Sequence, residues 1–364
     1  MLAHLEHKTT DSADAPSRQP VAAYADPMVH EREVRTLFRK LPLAVGHVSQ
    51  LAKPGDFITH DASGIPLVVA RADDGELHAF LNVCRHRGTR VENAPCGSKK
   101  AFTCPYHAWS YALHGERLHV PHERGFAGIG ARDLVRVPVA VIAGLVFVIP
   151  SADGGEIGDW LGPLAADLEG FGLATSHVYA PTTMTKSLTW KLAIDVFLES
   201  YHLQSAHRAS IYPMFFDNLG LVDPSGPHLR NIFPKRSIKG LATRPESEWK
   251  LRTHANILFH LFPNTLVLVE PDHAAVLHLW PQGPGRTLLT SYTLIPEPAT
   301  TDKARSYWDK NNAILYNAVD EDFTMGESIQ RGLDSRANAE VVFGAFEHAL
   351  AYFHDQVSRH SCVT

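Results

Sequence analysis

The stretch "CRHRGTRVENAPCGSKKAFTCPYHAW", residues 84–109, contains two short patterns of metal-binding side chains. Cys84 and His86 form a Cys-x-His pattern, and Cys104 and His107 form a Cys-x-x-His pattern after 17 intervening residues. Thiolates are soft ligands and imidazoles are borderline, so two of each suit zinc or an iron–sulfur cluster. Zinc fingers pair Cys with Cys and His with His, whereas each pattern here supplies one of each. The spacing therefore favours the cluster.

Both loops reach both metal ions if one iron takes the two thiolates and the other takes the two imidazoles. This is the ligand arrangement of a Rieske [2Fe-2S] cluster. Neutral imidazoles raise the reduction potential of such a cluster to about −150 to +300 mV, which is typical of a one-electron relay. Cys96 lies in the connecting loop and is interpreted as an ordinary thiol.

The composition is that of a folded globular protein. The chain has 364 residues, of which 45% are hydrophobic, 20% charged and 9% aromatic, enough for one large or two modest domains. A net charge of −5 gives no overall attraction for nucleic acid or an anionic membrane, and we expect neither as a partner. Four cysteines in so long a chain do not form a disulfide scaffold, so we expect a reducing, cytoplasmic location.

No targeting or membrane segment is expected from the sequence. The first 20 residues lack a basic segment followed by an apolar run. The most apolar stretch, "VPVAVIAGLVFVIP" at 137–150, has only 14 residues and is too short to span a bilayer as a helix. We interpret it as a buried strand that turns at Gly144 and ends at Pro150.

The hydrophobic pattern indicates an α+β protein. Short β-rich runs separated by Gly, Pro and Asp turns fill about residues 42–150. Beyond a break at 151–162 the pattern is mixed, with the consecutive strands "ANILFHLFPNTLVLVEP", "AAVLHLWPQ" and "RTLLTSYTLIPEP" predicted to pair antiparallel. Helices are predicted at about 190–208, 303–319 and 338–358.

A second group of metal-binding side chains lies in "DVFLESYHLQSAHRAS", residues 195–210. Glu199 and His202 are three residues apart and share a helix face. His202 and His207 are five apart, about 140° around an ideal helix. Both can therefore bind one ion only if the helix ends or distorts between them. Since the chain has 22 histidines, a chance pair remains the alternative.

These motifs resemble those of the Rieske-type non-haem iron oxygenases. "CRHRG" and "CPYHAW" resemble the family's Rieske motifs, and Glu-x-Tyr-His-x4-His resembles the mononuclear iron motif of its α subunits. The resemblance implies an all-β Rieske [2Fe-2S] domain over 42–155 and a catalytic domain, an antiparallel sheet flanked by helices, over 156–364. It also implies that an N-terminal arm and helix, 1–41, pack on the catalytic domain.

The resemblance gives roles to the residues of both motifs. Cys84, His86, Cys104 and His107 are the expected [2Fe-2S] ligands. His202 and His207 are expected to bind a mononuclear Fe(II).

The resemblance further implies that Glu199 bridges the two metal centres. Its carboxylate is expected to bond His202 and also the Rieske His107 of a neighbouring subunit. Tyr201 is expected to orient a ligand or pack beside the iron. Asp195 stands where many members have Asn, and it is a minor candidate.

The facial triad of non-haem Fe(II) oxygenases requires one further carboxylate. "AVDEDFTMGESIQRGLDSR" supplies Asp320, Glu321 and Asp322, although all three are also typical of solvated acids at a helix start. The resemblance selects Asp322, which lies ahead of Glu327 and Gln330 in an Asp-x4-Glu-x2-Gln pattern, with Glu321 as the next choice.

The implied activity is that of the terminal oxygenase component of a multicomponent system. Such a protein hydroxylates a small substrate with O2 and electrons from NAD(P)H, and we expect an aromatic substrate. The short chain favours monooxygenation, including O- or N-dealkylation, over ring cis-dihydroxylation; betaines are a further option. The alternatives of another class are a Rieske electron carrier and a zinc-binding structural protein.

The resemblance also implies partners and a pocket. We expect a homotrimer in which each cluster lies beside the next subunit's iron, served by a separate ferredoxin or flavin reductase. The absence of a Gly-x-Gly-x-x-Gly motif is consistent with a nicotinamide that binds elsewhere. Basic residues near the cluster either steer an acidic redox partner or are solvated loop charges: Arg85, Arg87, Arg90, Lys99 and Lys100. The expected apolar pocket residues are Phe197, Leu198, Leu203, Phe215, Phe216, Leu258, Phe259, Phe262, Leu268 and Trp280.

Overall fold

A computed structural model describes residues 1–362 and confirms the α+β class, with two compact units. The first unit contains Met1–Val34, Leu161–Leu164 and the chain from Tyr179 onward, and the second contains Arg35–Trp160 and Ala165–Val178. The units interleave along the sequence, and the domain limits expected after residues 41 and 155 stay predictions. No helix within residues 1–362 is long and apolar enough to cross a membrane.

The helices and strands are numbered in chain order. The helices are α1 (Leu2–His7), α2 (Ala22–Ala25), α3 (Pro27–Lys40), α4 (Leu164–Gly170), α5 (Trp190–Asp195), α6 (Leu203–Ala206), α7 (Leu251–His254), α8 (Asp302–Asp334) and α9 (His348–Ser361). The strands up to residue 150 are β1 (Ser17–Pro20), β2 (Leu43–His47), β3 (Asp56–His60), β4 (Leu67–Arg71), β5 (Leu77–Leu81), β6 (Cys96–Ser98), β7 (Ala101–Thr103), β8 (Ser110–Ala112), β9 (Arg117–His119), β10 (Arg136–Val137), β11 (Val139–Ile142) and β12 (Leu145–Val148). The later strands are β13 (His177–Lys186), β14 (Leu221–Ser225), β15 (His228–Pro234), β16 (Ala255–Leu261), β17 (Thr265–Val269), β18 (Ala274–Gly283), β19 (Arg286–Ile295) and β20 (Glu340–Phe343).

A seven-stranded antiparallel sheet is the framework of the first unit. Its strand order is β13-β19-β18-β17-β16-β15-β14, so the strands from β14 to β19 are joined to their neighbours in sequence order. Side chains alternate between the two faces of each strand. Leu258 of β16 pairs with Leu268 of β17, which in turn pairs with Ala275 of β18, and the three share one face.

Helix α8 is longer than the sequence pattern predicted. It begins after Thr301, whose hydroxyl accepts the Ala304 N–H at 3.2 Å, and it continues for 33 residues. No Pro interrupts the helix, and it runs on to Asp334. The predicted end at 319 is therefore wrong. Asp320, Glu321 and Asp322 therefore lie in the middle of a helix, and the alternative that they are acids at a helix start is also wrong.

Two other helix predictions need correction. The predicted helix at 190–208 is two short helices, α5 and α6, separated by an irregular segment. The predicted helix at 338–358 begins only at His348, because 340–343 form β20. Strand β20 pairs antiparallel with β1, from Ser17 opposite Phe343 to Pro20 opposite Glu340. Local periodicity cannot identify a partner strand that lies so far away in the sequence.

The second unit is built of three small antiparallel sheets. Their strand orders are β10-β5-β4-β3-β6, β11-β12-β2 and β7-β8-β9. The apolar stretch at 137–150 forms the hairpin β11–β12, which turns at Gly144 as expected. Gly144 has a φ of +83°, and a Cβ there would lie 2.6 Å from the Cα of Ala174, so both backbone conformation and space require glycine.

A buried ion pair connects α3 to α5 within the first unit. The Lys191 ammonium bonds the Glu33 carboxylate, and both side chains are only 2% exposed. The Trp190 indole N–H also donates to Glu33, at 3.0 Å. Burial lowers the pKa of Lys191, although Glu33 opposes this shift. The pair therefore joins α3 to the segment that leads toward His202.

We expect Lys191→Met to destabilise the first unit by about 3–5 kcal/mol, because it leaves Glu33 buried without a countercharge. The double variant Lys191→Met/Glu33→Gln should recover most of this loss. Urea denaturation of both variants, followed by tryptophan fluorescence, measures the difference. Equal stability of the single and double variants would contradict the prediction.

Candidate metal centres and substrate pocket

His202, His207 and Asp322 converge in the first unit, and their ligand atoms lie within 4.8 Å of one another. The Nε2 atoms of His202 and His207 lie 3.3 and 2.7 Å from Oδ1 of Asp322. His207 and Asp322 are buried, whereas the His202 side chain is 24% exposed. The three side chains thus direct two imidazole nitrogens and one carboxylate oxygen toward a common point.

The shortness of α6 allows the two histidines to meet. His202 immediately precedes α6 and His207 immediately follows it, so the helix comprises only the four residues between them. The Glu199 carboxylate accepts the backbone N–H groups of Tyr201 and His202, which satisfies donors at the start of this short helix. The helix thus ends before His207, which is one of the two arrangements expected from the five-residue spacing.

Helix α8 supplies the carboxylate and also holds the chain that leads to α5. Glu327 accepts the Ser187 N–H at 2.7 Å, and Gln330 accepts the Thr189 N–H at 2.9 Å. Asp322 lies on the same helix, five residues before Glu327. The Asp-x4-Glu-x2-Gln pattern therefore combines one candidate ligand with two contacts that position α5.

Each imidazole also bonds a carboxylate of its own through Nδ1, the ring nitrogen farther from Asp322. Nδ1 of His202 bonds Glu199, and Nδ1 of His207 bonds Glu321 at 2.6 Å. The Ser210 hydroxyl also donates to Glu321, and these two bonds lower the pKa of Glu321. An Nδ1–H that donates to a carboxylate leaves the Nε2 lone pair free for a metal. Sequence reasoning proposed Glu321 only as an alternative ligand and missed this contact.

The electrostatics of the cluster favour a cation. Burial alone would lower the pKa of His202, but the hydrogen bonds and charges of Asp322 and Glu199 outweigh it and raise this pKa to about 10. Burial would also lower the pKa of His207, but Asp322 and Glu321 outweigh this effect and raise it. The negative charge that stabilises protons on these imidazoles equally stabilises a metal ion between them. Two neutral imidazoles and one carboxylate fit non-haem Fe(II).

Two further candidates lie apart from the convergence point. Asp195 is buried and accepts the Tyr24 hydroxyl at 2.6 Å, with Nε2 of His354 at 3.0 Å. These bonds occupy its carboxylate, so Asp195 faces a separate polar cluster. The Tyr201 side chain is 56% exposed and packs against Phe346 with 4.8 Å between ring centroids, so its backbone N–H contacts Glu199 but its ring does not orient a candidate ligand.

The loops at residues 84–109 bring the two thiols and the two imidazoles together in the second unit. The thiols of Cys84 and Cys104 are buried and within hydrogen-bonding distance of each other. The Nδ1 atoms of His86 and His107 face each other at 3.1 Å. Thiols on the inner side and imidazole nitrogens on the outer side are the donor set of a Rieske cluster.

Tight turns shape both loops. The Gly88 N–H donates to the Cys84 carbonyl at 3.0 Å, and Gly88 has a φ of +86°. The Ala108 N–H donates to the Cys104 carbonyl at the same distance. The Cys84 Sγ also lies 3.4 Å from the Tyr111 hydroxyl, a contact that sequence reasoning missed.

Aromatic rings enclose the imidazoles. Trp109 is buried and stacks on His86 at 5.0 Å, and Phe126 contacts both rings edge-on. Tyr106 covers His107 at 3.7 Å but remains 58% exposed. His107 is therefore covered by a single surface ring.

Two of the five basic residues near the cluster have acidic partners. Arg90 pairs with Asp61 at 2.8 Å, and Lys99 bonds Glu92. These pairs reduce the local positive charge available to an incoming partner.

An apolar cavity of about 100 Å³ lies beside the convergence point of His202, His207 and Asp322. Helix α8 contributes Leu315, Ala318 and Val319 on the face that carries Asp322. Other walls come from the sheet and from the segment around α6. They include Phe197, Leu203, Ile211, Phe215, Phe233, Asn256, Leu258 and Leu268.

Five of the ten expected pocket residues line this cavity: Phe197, Leu203, Phe215, Leu258 and Leu268. The other five do not: Leu198, Phe216, Phe259, Phe262 and Trp280. Strand alternation explains one miss, because Phe259 follows Leu258 on β16 and points to the opposite face. A hydrophobic run identifies a buried strand but not which of its faces lines a cavity.

Comparison with known proteins identifies both parts of the chain. A family model for the Rieske [2Fe-2S] domain matches residues 42–138. The model for the ring hydroxylating alpha subunit (catalytic domain) matches residues 173–361, more than half of the chain.

The chain belongs to the ring hydroxylating alpha subunit family.

This Rieske oxygenase is similar to choline monooxygenase of Spinacia oleracea, at 28% identity over 87% of this chain and 72% of the relative. It is also similar to the glycine betaine monooxygenase oxygenase subunit of Chromohalobacter salexigens, at 29% identity over 87% of this chain and 80% of the relative. A solved structure with a TM-score of 0.82 and 26% identity covers 95% of this chain and 96% of its own. It is described as a quaternary ammonium Rieske monooxygenase, with insights into carnitine oxidation and inter-subunit electron transfer.

The family membership confirms several expectations. The protein is a Rieske non-haem iron oxygenase, an oxidoreductase that uses O2, and its family carries a [2Fe-2S] cluster and a mononuclear iron. The expected aromatic substrate and a role in aromatic catabolism receive no support, because the relatives are named for quaternary ammonium compounds.

We expect Tyr111→Phe to lower the reduction potential of the cluster, because the variant loses a hydrogen bond from the hydroxyl to the Cys84 sulfur. Hydrogen bonds to cluster sulfurs stabilise the reduced state and so raise the potential. Redox titration followed by EPR measures the shift. Tyr179→Phe, which removes a surface hydroxyl bonded to Asp309, is the control, and an unchanged potential in Tyr111→Phe would contradict the prediction.

Proposed function

We propose that this protein is the oxygenase component of a monooxygenase system that hydroxylates a carbon bonded to nitrogen in a small quaternary ammonium compound. The observation that carries the proposal is the apolar cavity that ends at His202, His207 and Asp322. Choline, glycine betaine and carnitine, after which the relatives are named, share a trimethylammonium group.

The cavity suits a quaternary ammonium group. Such a cation has no N–H to donate, so it is bound through apolar contact, aromatic faces and negative potential. Phe197, Phe215 and Phe233 contribute aromatic rings, and Glu199 and Asp322 contribute carboxylates at the metal-binding end. A neutral aromatic hydrocarbon would use the rings but gain nothing from the carboxylates.

We assign His202, His207 and Asp322 as ligands of the mononuclear Fe(II), and Cys84, Cys104, His86 and His107 as ligands of the [2Fe-2S] cluster. When bound, these two centres each supply one of the two electrons that O2 requires for a hydroxylation. The chain's own part is to orient the ligands.

Each of the two histidines assigned to the iron is oriented by a carboxylate. Glu199 holds His202 and Glu321 holds His207 with Nε2 turned inward. Hydroxylation of a carbon bonded to the quaternary nitrogen gives an N-hydroxyalkyl cation. This cation breaks its C–N bond, releasing a tertiary amine, an aldehyde and a proton.

We further propose that the protein acts as a homotrimer in the cytoplasm. Glu199 then joins the His202 of its own chain to His107 of the partner subunit, so that electrons pass between subunits. The relative with the solved structure is described in terms of inter-subunit electron transfer, which supports this arrangement. A separate reductase, with or without a ferredoxin, supplies electrons from NADH or NADPH.

Metal content distinguishes an oxygenase from a plain electron carrier. We expect about three irons per chain, two in the cluster and one at the triad. His202→Ala should bind about two, keep the visible colour of the cluster and lose turnover, because only the triad is disrupted. His254→Ala, a change at a histidine bonded to Ser237, is the control and should retain three. Two irons in the unaltered protein would favour the electron carrier.

Turnover of a small panel tests the substrate class. We expect choline, glycine betaine or L-carnitine to stimulate NADH oxidation with a surrogate reductase and to yield an aldehyde and an amine. Benzoate and methoxybenzoate serve as aromatic comparison substrates. Turnover of the aromatic compounds alone, or a cis-diol product, would contradict the proposal.

A further inference from the structure

The cavity beside the metal triad continues into a second, more polar cavity of about 360 Å³. The two cavities share six wall residues: Ile211, Phe215, Asn256, Leu268, Leu315 and Ala318. The outer cavity adds Lys235 and Glu270. Asn256 is the polar side chain among the shared residues, so it lies where the apolar and polar cavities meet.

The sheet register determines the neighbours of Asn256. Asn256 of β16 pairs with Phe233 of β15, and both line the inner cavity. Glu270 follows β17 directly, and its Oε1 accepts the Asn256 Nδ2–H at 2.8 Å. The Lys235 ammonium donates to the other carboxylate oxygen of Glu270 at 3.1 Å. Lys235, Glu270 and Asn256 therefore form a chain of hydrogen bonds that fixes the orientation of the amide.

The amide oxygen of Asn256 is buried and has no hydrogen-bond partner among the described residues. A buried acceptor without a partner costs free energy, so such groups usually meet a ligand or water. None of the other described residues that line the inner cavity has a buried side-chain N or O atom without a partner. The amide is also polarised, because its N–H group donates to a carboxylate, which increases the negative charge on its oxygen.

We propose that Asn256 is a specificity-determining residue whose amide oxygen contacts the positively charged head of the substrate. This inference rests on the proposed function, which supplies the quaternary ammonium class. A quaternary ammonium group carries its positive charge on the methyl and methylene hydrogens around nitrogen. These hydrogens match an acceptor that is buried, polarised and surrounded by apolar side chains.

The same contact explains how a small cation is selected over a neutral molecule of equal shape. Apolar walls bind a tert-butyl group and a trimethylammonium group through similar area. The negatively polarised oxygen of Asn256 favours only the cation. Glu270 acts as a positioning residue, since it accepts from the amide nitrogen and leaves the oxygen as the amide atom without a partner among the described residues.

Pairs of substrates and isosteres that lack the ammonium charge test this role. Choline is compared with 3,3-dimethylbutan-1-ol, and glycine betaine with 3,3-dimethylbutanoate, in which carbon replaces nitrogen. Dissociation constants are measured by calorimetry on the oxidised protein with both metals bound, and KM and kcat are measured in turnover. Both members of a pair carry the same hydroxyl or carboxylate. The ratio of their dissociation constants therefore reports only recognition of the ammonium charge.

We expect Asn256→Leu to weaken binding of the quaternary ammonium compound by about tenfold, the factor expected for loss of one charge-assisted contact. The dissociation constant of the isostere should not change. KM should rise by a similar factor, while kcat at saturation changes little. Glu270→Gln should weaken binding of the quaternary ammonium compound by about threefold, because it removes the charge but keeps an oxygen that accepts from Asn256. This second variant tests the proposal if Asn256→Leu does not fold.

Asn231→Leu is the matched control. Asn231 is a buried asparagine on the neighbouring strand β15, its Nδ2–H donates to the Leu198 carbonyl, and it does not line the cavity. Asn231→Leu should reduce stability without changing the ratio of the two dissociation constants within a pair.

The possible outcomes separate the two proposals. If the unaltered protein binds the cations and Asn256→Leu weakens cation and isostere equally, the amide recognises a hydroxyl, a carboxylate or water, and this inference is wrong while the proposed function stands. If Asn256→Leu and Glu270→Gln both leave the ratio unchanged, the inference is also wrong. If the unaltered protein binds none of the quaternary ammonium compounds, the proposed function fails and this inference fails with it.

Discussion

The hydrogen bond between an imidazole and a carboxylate, used twice, is the interaction on which the proposed iron site depends. Glu199 bonds the far nitrogen of His202, and Glu321 does the same for His207. Without these bonds each ring could rotate or carry its proton on the wrong nitrogen. The short helix α6 has a histidine at each end and so brings both imidazoles to one point. The long helix α8 carries Asp322 and Glu321 to the same place.

The charge balance of the site has a structural consequence. Three carboxylates, Glu199, Glu321 and Asp322, surround two imidazoles in a largely buried region. This arrangement stabilises a cation but would be costly without one, since buried charges require partners. The adjoining cavity is almost entirely apolar, so its few polar groups have a large influence on which substrate enters. The metal-binding end and Asn256 both present negative potential to that cavity.

Much of both candidate metal centres could be predicted from the sequence because their candidate ligands are close together in the chain. The cysteines and histidines at 84–107 lie within one pair of loops, and His202 and His207 flank a single short helix. Asp322 was different: residue types alone left three adjacent acids open, and only the resemblance to a family chose between them. Its location in the middle of α8 depends on a helix that continues 15 residues past the predicted end.

The residues that sequence reasoning missed act through contacts between distant segments. Strand β20 needs β1 as its partner, and Glu321 acquires its role only when α8 meets His207. Asn256 had one local signal, a polar residue in the mostly apolar run "ANILFHL", but its meaning depends on the register that places Glu270 beside it. Alternation along β16 likewise decides that Leu258, and not Phe259, faces the cavity.

A single turnover of the fully reduced protein tests the central claim most directly. The protein, with both metal centres reduced and with reductase and NAD(P)H removed, is mixed with O2 and the best substrate of the quaternary ammonium panel. The division of labour between the two centres predicts that each molecule of product is accompanied by oxidation of one [2Fe-2S] cluster, with no more than one product per chain. Product formation while the cluster remains reduced would contradict it.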